Sequence, residues 1–242
     1  MVDFALITNQ GGRTNNEDYV TSATYGNSSC YILCDGLGGH ECGEVASSSV
    51  ATWVAQLFQE KGDYPDFLSD AFKLAQEKLL SLQEEKGMKN AMKTTLVVLV
   101  VTDEQMKWAH IGDSRLYHIY SNNTKYERTR DHSMVQILCD MGEIEESEMR
   151  HHPDRNKVLR VMGAEWSSKS FDLSAILERG EKHAFALMTD GFWEYVEEQE
   201  MMDILNDSQS AEEWMLSMEK LVVARADMTK TDNYSAICVV VD

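Results

Sequence analysis

The sequence of 242 residues predicts mixed α and β structure with a largely antiparallel sheet. Short apolar runs bounded by Gly, Asn or Asp are typical of strands, and such runs dominate the chain. Two longer segments with helical spacing precede a group of closely spaced strands and do not alternate with them, which disfavours a doubly wound nucleotide-binding fold. No Pro-, Gly- or Ser-rich linker divides the sequence, so we expect one domain over residues 1–242.

Eight segments rich in Val, Ile, Leu, Tyr and Thr are predicted as strands. They span residues 4–8, 19–24, 31–34, 94–102, 107–111, 116–120, 184–188 and 236–241. Only short turns separate the three strands between residues 94 and 120, which leaves no room for crossover helices. We therefore expect these three strands to pair antiparallel.

Apolar residues at helical spacing predict three helices. The first stripe runs over residues 46–58, the second over 68–82, and the third over 214–222 near the C-terminus. The Met and Trp residues in these stripes are interpreted as core packing.

The charge balance limits the possible partners. The chain has 41 acidic and 22 basic residues, a net charge of -19. Nucleic acids and anionic membranes both require basic surface, so neither is expected as a partner, and acidic surfaces that repel one another favour a monomer.

The cysteines and the apolar runs indicate a reducing, cytoplasmic setting. Five cysteines without a CxxC pair suggest neither a disulfide framework nor a zinc ribbon, and Cys34 and Cys238 lie in apolar runs typical of core strands. The N-terminus lacks the features of a signal peptide. The longest apolar run, 96–101, is too short to span a bilayer.

Four carboxylates lie at the ends of predicted strands. Asp35 and Asp190 each follow an apolar run and precede a glycine, Asp113 follows the segment WAHIG, and Asp232 precedes the last strand. Any one of these is an ordinary turn residue, but four of them favour a shared anionic site. Carboxylates at close range need a compensating charge, and oxygen ligands select hard ions such as Mg²⁺ or Mn²⁺.

Two further segments add to this site. Arg13 contributes one cation, and Glu17 and Asp18 contribute two carboxylates. The glycine-rich stretch 36–43 allows a sharp turn beside Asp35 and can expose a carbonyl as a ligand. The sequence has no GxGxxG opening a helix and no P-loop lysine. The residues alone predict a metal-assisted hydrolase acting on a phosphoester.

Eight motifs in this order resemble the metal-dependent protein phosphatases of type 2C, particularly the compact bacterial members. They are RTNNED (13–18), CDGLGGHECGEVAS (34–47), KTTLVVLVV (93–101), HIGDSRLY (110–117), TRDHSMVQ (129–136), HPDRNKVLRVMG (152–163), MTDGFWE (188–194) and TDNYSAICV (231–239). The resemblance implies an α+β fold in which two antiparallel sheets pack face to face with helices outside (an α-β-β-α sandwich). It also implies a serine/threonine protein phosphatase that acts on phosphoserine and phosphothreonine.

The resemblance further implies a centre of two Mn²⁺ or Mg²⁺ ions. Asp35 would bridge the two ions and the Gly36 carbonyl would bind one of them, while Asp190 and Asp232 would complete the other. A water shared by the two ions would attack phosphorus in line, so no covalent phosphoenzyme forms.

Four more residues receive roles from the resemblance. Glu17 and Asp18 would act mainly through metal-bound waters, and Asp113 would help to hold a third, weaker ion. Arg13 would bind the substrate phosphate, for which its forked donors are suited. Phosphorylated proteins and a cognate bacterial Ser/Thr kinase with its targets are the implied partners.

Some positions depart from the family pattern. Leu37 replaces the histidine that animal members carry after Asp-Gly as a proposed general acid, and His40 has the place of the bacterial GGH histidine. We do not assign proton donation to His40, for which a hydrogen bond to the loop backbone is the alternative role. A metal-bound water can protonate the leaving group instead. Lys93 stands where relatives often have glycine.

Residues 141–160 correspond to the mobile flap of the family. The acidic run 143–148 within it is predicted as a solvated helix face, with substrate selection as the alternative.

Two other functions stay open besides an active protein phosphatase. The chain could be an inactive relative that binds phosphoproteins, or the same chemistry could act on a small phosphoester or signalling nucleotide. Retention of Asp35, Asp190 and Asp232 argues against the first, and the missing nucleotide loop against the second.

Overall fold

The computed structural model describes residues 1–37, 42–89, 91–120, 122–166 and 170–242. The strands are β1 (Val2–Asn9), β2 (Asp18–Tyr25), β3 (Ser28–Asp35), β4 (Leu96–Val101), β5 (Gln105–Ile111), β6 (Arg115–Tyr120), β7 (Lys125–Arg128), β8 (Asp172–Leu173), β9 (Leu177–Glu178), β10 (His183–Met188) and β11 (Tyr234–Val241). The helices are α1 (Gly43–Lys61), α2 (Phe67–Glu85), α3 (Met134–Asp140), α4 (Asp190–Trp193), α5 (Glu198–Asp207) and α6 (Ala211–Arg225), with a 3-10 helix at Glu146–His151.

The strands form two sheets. One has the order β1-β11-β10-β6-β7, and the other has the order β2-β3-β4-β5-β8, with β9 also paired to β5. Neighbouring strands are antiparallel throughout. The predicted fold class, two antiparallel sheets flanked by helices, is confirmed.

Three apolar layers hold the sandwich together. Val97, Leu99 and Val101 of β4 lie between the sheets, in one cluster with Phe185 and Leu187 of β10. The alternate residues of β4 pack in the cluster that contains α1 and α2, and the other sheet packs on α5 and α6. Both faces of β4 are therefore buried, which explains why its sequence is continuously apolar and does not alternate.

The predicted strands and helices are all present, with ends shifted by a few residues. The structure adds β7, β8, β9, α3, α4 and α5, which the sequence patterns did not reveal. Strands β8 and β9 have two residues each, and β7 is a charged, largely exposed edge strand. Elements of this kind carry little periodic signal.

The expectation that the three strands between residues 94 and 120 pair successively is wrong at its second step. Strand β5 pairs with β4, but β6 belongs to the other sheet, where it pairs with β10 and β7. Residues 112–114 carry the chain across from one sheet to the other. Gly112 has a φ of 108°, and a Cβ at this position would lie 2.5 Å from Cγ2 of Thr95, so a larger residue does not fit.

Several smaller predictions can be compared with the structure. Cys34 and Cys238 are buried and free, as predicted for core residues. The acidic run 143–148 is largely exposed and leads into the 3-10 helix, which begins with a capping box between Glu145 and Glu148. His40 lies outside the described residues. None of the helices in the described residues combines the length and apolar character needed to cross a bilayer.

Candidate metal centre

The predicted carboxylates meet at one end of the gap between the two sheets. Asp18 begins β2 and Asp35 ends β3, and the two residues are direct partners in the strand register. Asp190 follows β10 and Asp232 precedes β11, which are neighbours in the other sheet. Strand ends from both sheets thus deliver acidic side chains to one place.

A cleft of about 440 Å³ opens at this point. Its lining includes all of the predicted site residues except Asp18: Arg13, Glu17, Asp35, Gly36, Asp113, Asp190 and Asp232. Leu37, Asn156 and Val158 complete the lining. Asp18 is buried, with 6% of its surface exposed.

Two threonines fix the main chain of Asp35. The Asp35 N–H donates to Oγ1 of Thr95 over 2.9 Å, and Oγ1 of Thr94 donates to the Asp35 carbonyl over 2.8 Å. Oγ1 of Thr95 also bonds to Oγ of Ser114 over 2.7 Å. Sequence reasoning recognised this Thr-Thr pair only as part of a motif, because threonine is an ordinary strand residue.

Gly36 is required by close packing. Its N–H donates to the Glu17 carbonyl over 3.0 Å. A Cβ on Gly36 would lie 2.5 Å from the Gly43 carbonyl oxygen and 2.7 Å from that of Glu17. Only glycine therefore lets the start of α1 and the Glu17 segment approach Asp35 this closely.

Asn233 ties the N-terminal segment to the site. Its Oδ1 accepts from the Glu17 N–H over 2.8 Å, and its Nδ2 donates to the carbonyls of Gln10 and Asn15, each over 2.8 Å. These bonds place the segment that carries Arg13 and Glu17. Sequence reasoning missed this role, since Asn after Asp at a strand start is typical of a turn.

Asp18 lies beneath the cleft with one oxygen bonded and one not. Its Oδ2 accepts from Oγ1 of Thr189 over 2.9 Å, and that hydroxyl accepts from the Ser235 N–H over 2.9 Å. Oδ1 of Asp18 is buried and has no hydrogen-bond partner among the described residues. Buried polar atoms are rarely left unsatisfied, so this oxygen is a candidate to bond a water or a cation.

The carboxylates of the site disfavour one another's ionisation. Burial, followed by repulsion from neighbouring carboxylates, raises the pKa of Asp35 and of Asp190 well above the ordinary value. Burial is also the main cause that raises the pKa of Asp18 and of Asp113 to about 7. Bound divalent cations would offset both effects by stabilising the ionised carboxylates, and the all-oxygen donor set fits Mg²⁺ or Mn²⁺.

Arg13 is the one basic residue among the described residues that line the cleft. Its Nη2 lies 2.6 Å from Oδ2 of Asp232, and 56% of its side chain is exposed. Because arginine has five N–H donors, several stay available for an oxyanion that enters from solvent.

The positions that depart from the family pattern lie beside the cleft. Leu37 lines it, so the described part of the site has an alkyl group where animal members have a histidine. The Leu37 N–H donates to the Lys93 carbonyl over 3.0 Å. This contact uses the main chain of Lys93 and is open to any residue type.

A second pocket adjoins the cleft on the side of Arg13, Asp190 and Asp232. Arg155 and Lys230 are among its lining residues, and Nε of Arg155 bonds to Oε1 of Glu194 over 2.8 Å. Basic side chains therefore stand next to the acidic centre, although the chain as a whole is strongly acidic.

Comparison with known proteins identifies the family. The family model described as Protein phosphatase 2C matches residues 9–222. Protein phosphatase PhpP of Streptococcus pneumoniae is 29% identical over 211 residues, which cover 84% of this chain and 84% of PhpP.

Solved structures show the same architecture. The serine/threonine phosphatase Stp1 from Staphylococcus aureus superposes with a TM-score of 0.89 and 29% identity, over 100% of this chain and 96% of Stp1. The catalytic domain of the phosphatase PstP in complex with two manganese ions superposes with a TM-score of 0.81 and 26% identity, over 100% of this chain and 99% of that domain. The resemblance inferred from the motifs is thereby confirmed: this chain belongs to the protein phosphatase 2C family, whose members are metal-dependent hydrolases.

Proposed function

We propose that this enzyme removes phosphate from phosphoserine and phosphothreonine in proteins, at a centre of two Mn²⁺ or Mg²⁺ ions. The observation that carries the proposal is the convergence of carboxylates from both sheets on one open cleft that also contains Arg13. The names of PhpP, Stp1 and PstP as protein or serine/threonine phosphatases support the same activity.

The ligand assignments follow the motifs and the cleft. Asp35, the Gly36 carbonyl, Asp190 and Asp232 would hold the two ions, and Asp113 would help to hold a third, weaker one. Glu17 and Asp18 would act through water; the unpartnered buried Oδ1 of Asp18 is consistent with this role. When bound, such ions neutralise phosphoryl charge and lower the pKa of a coordinated water.

The chain's own residues prepare the site for a phosphate ester. Arg13 binds and orients the phosphoryl oxygens with its outward donors, and the hydrogen bonds of Thr95 and Asn233 keep the ligand-bearing segments in place. Cysteine is not expected to act as a nucleophile. Burial raises the pKa of the Cys34 and Cys238 thiols well above the ordinary value, so both stay protonated.

The biological setting is part of the proposal. Phosphorylated proteins would be the substrates, and a cognate bacterial Ser/Thr kinase would oppose the enzyme. We also propose a single catalytic domain over residues 1–242 and a cytoplasmic monomer. Five free cysteines suit a reducing compartment, and the net charge of -19 disfavours self-association.

Hydrolysis assays with the Asp190→Ala variant test the proposal. The substrates are p-nitrophenyl phosphate and a phosphothreonine peptide, each with Mn²⁺ and with EDTA. Turnover of both by the wild type should require Mn²⁺, and the variant should lose orders of magnitude in kcat because one ligand is missing. Asp207→Ala, which removes an exposed carboxylate at the end of α5, is the matched control and should behave as the wild type.

The same assays separate the alternatives. If Asp190→Ala turned over substrate as fast as the wild type, the metal assignment would be wrong. Folded wild-type protein that is inactive with every metal would instead indicate a phosphoprotein-binding relative. Turnover of the small ester without turnover of the peptide would indicate a small-molecule phosphatase.

Replacing Arg13 by alanine tests phosphate binding. We expect the KM for the phosphopeptide to rise by more than kcat falls, because the substrate loses charge-assisted hydrogen bonds. Arg225→Ala is the matched control, since Arg225 is a surface arginine paired with Glu200. An unchanged KM in Arg13→Ala would place Arg13 outside the phosphate site.

A further inference from the structure

His132 lies directly behind the segment that carries Asp113. Its backbone N–H donates to the Gly112 carbonyl over 2.9 Å, and its Nδ1 accepts from the Gly112 N–H over 3.2 Å. Both polar main-chain groups of Gly112 are thus bonded to this one residue. The His132 side chain is 1% exposed, so water does not compete for these bonds.

The contacts of the ring define its protonation. A backbone N–H can only donate, so Nδ1 of His132 is unprotonated. Burial is the main cause that lowers the pKa of His132 to about 4, which keeps the ring neutral. The single ring hydrogen is then on Nε2, which donates to Oδ2 of Asp172 over 3.3 Å.

A second histidine holds the ring from its face. The His110 and His132 rings stack with centroids 4.6 Å apart and planes at 25°. Nε2 of His110 bonds to the Arg130 carbonyl over 2.8 Å. Asp172 is paired with His110 in the strand register, so β5 and β8 together form the wall against which His132 rests.

His110, His132 and Asp172 also offer ligand atoms within 4.8 Å of one another, as a metal site would. The hydrogen bonds argue against that use. A metal-bound histidine normally donates its second ring N–H to an acceptor, whereas Nδ1 of His132 accepts and its Nε2 carries the hydrogen. The positive charge of Arg160 acts on both rings as well and would oppose a cation there.

The Asp113 segment is held at three successive residues. Gly112 is bonded to His132, the Asp113 carbonyl accepts from Nε1 of Trp193 over 3.1 Å, and Oγ of Ser114 bonds to Thr95 over 2.7 Å. The first two bonds fix the main chain and the third fixes the Ser114 side chain, so none of them uses the Asp113 carboxylate, which lines the cleft.

His132 also connects this segment to a second segment that lines the cleft. Its carbonyl accepts from the Leu159 N–H over 2.7 Å, and Ser133 forms a bridge with Val158, which lines the cleft. His132 therefore lies between two segments that each contribute a residue to the lining of the cleft.

We propose that His132 is a positioning residue which, through Gly112, sets the place of the Asp113 carboxylate in the metal centre. The inference rests on the proposed function, in which Asp113 is a ligand of the weaker ion. In this role His132 touches neither ion nor substrate and acts on Asp113 through the main chain of Gly112.

Two amide substitutions at His132 test the hydrogen bonds of the two ring nitrogens separately. In His132→Asn the side-chain oxygen can take the place of Nδ1 and accept from Gly112, whereas the longer amide of His132→Gln reaches toward the position of Nε2 and Asp172. We expect Mn²⁺ binding to the weaker site, measured by isothermal titration calorimetry, to stay within about twofold of wild type in His132→Asn and to weaken about tenfold in His132→Gln. The Mn²⁺ concentration for half-maximal turnover of the phosphothreonine peptide should change in parallel.

Two further variants serve as control and second test. His118→Gln alters another buried histidine, on β6, which contacts Glu127 and His183; this variant should bind Mn²⁺ as the wild type does. Asp172→Ala keeps His132 but removes the acceptor that holds its hydrogen on Nε2. Asp172→Ala should weaken Mn²⁺ binding to the weaker site, as His132→Gln does. This variant also tests the proposal if His132→Gln does not fold.

The outcomes distinguish this inference from the proposed function. Equal Mn²⁺ affinity in His132→Asn and His132→Gln, with Asp172→Ala unchanged, would overturn the positioning role. Wild-type protein that binds Mn²⁺ without turning over either substrate would refute the phosphatase activity, while the calorimetric comparison would still decide the role of His132. A wild type that binds no Mn²⁺ would refute both.

Discussion

Replacing Asp113 by asparagine should stabilise the protein when divalent ions are removed. Asp113 is 5% exposed, and burial followed by the charge of Asp131 raises its pKa from 3.8 to about 7. The folded state therefore holds this proton more tightly than the unfolded state does. The resulting destabilisation is absent below about pH 3.8, grows as the pH rises toward 7, and is complete above that value.

The size of the effect follows from the two pKa values. One pKa unit corresponds to about 1.4 kcal/mol, so the raised pKa of Asp113 lowers the free energy of unfolding by about 4 kcal/mol at pH 7.5 and about 2 kcal/mol at pH 5. Burying the neutral amide of asparagine costs part of this gain. We expect a net stabilisation of about 2 kcal/mol at pH 7.5 in EDTA and a smaller one at pH 5.

Urea unfolding of the variant and the wild type in EDTA, at both pH values, measures this difference. The difference in stability between variant and wild type is compared, and not the wild type alone, because four histidines have the opposite pH dependence. Burial lowers their pKa values, so they favour folding as the pH rises: His110, His118, His132 and His183. Asp207→Asn, at the exposed end of α5, is the matched control and should change stability by about 0.5 kcal/mol or less.

Excess Mn²⁺ should abolish the advantage of the variant. Bound ions stabilise the wild type by mass action, and Asp113→Asn lacks one of the proposed ligands. An Asp113→Asn variant that is no more stable than wild type in EDTA at pH 7.5, or that gains more stability at pH 5, would refute this prediction.

Two further predictions concern residues that support the site. Asn233→Ala removes three hydrogen bonds of a buried amide and should lower the free energy of unfolding, measured by urea titration, by about 3 kcal/mol. The control Asn27→Ala alters an exposed asparagine and should be nearly neutral. Equal effects of the two substitutions would contradict the role of Asn233. Asp131→Asn breaks the buried ion pair with Arg115 and should cost about 3–5 kcal/mol in the same assay, against about 1 kcal/mol or less for Glu200→Gln on the surface. A loss in Asp131→Asn as small as that in the surface variant would show that Arg115 finds another partner.

The carboxylates of the candidate site could be predicted from the sequence because each has a local signature. An apolar run that ends in Asp35-Gly36 or Asp190-Gly191 marks a strand end, where sheet geometry can bring together residues that are distant in sequence. The periodic helices α1 and α2 were accessible for the same reason, since their apolar stripes are local patterns.

The supporting residues had no such signature. Thr95, Asn233 and His132 act through bonds to residues 60, 216 and 20 positions away in the chain. Their types are common in strands, turns and loops, and only the tertiary fold shows which main-chain groups they meet. Short edge strands such as β8 were missed because two residues cannot display a period.

The wrong strand pairing and the location of Asp113 have one cause. A hairpin between β5 and β6 would have paired the main chain of the connecting residues locally and left Asp113 at the rim of a single sheet. The chain instead crosses to the other sheet, which brings Asp113 to the gap where the remaining carboxylates lie. The crossing deprives Gly112 of a hairpin partner, and a buried N–H and carbonyl must be satisfied elsewhere. His132 satisfies both, so the same residue that makes the sheet crossing possible also determines where Asp113 stands.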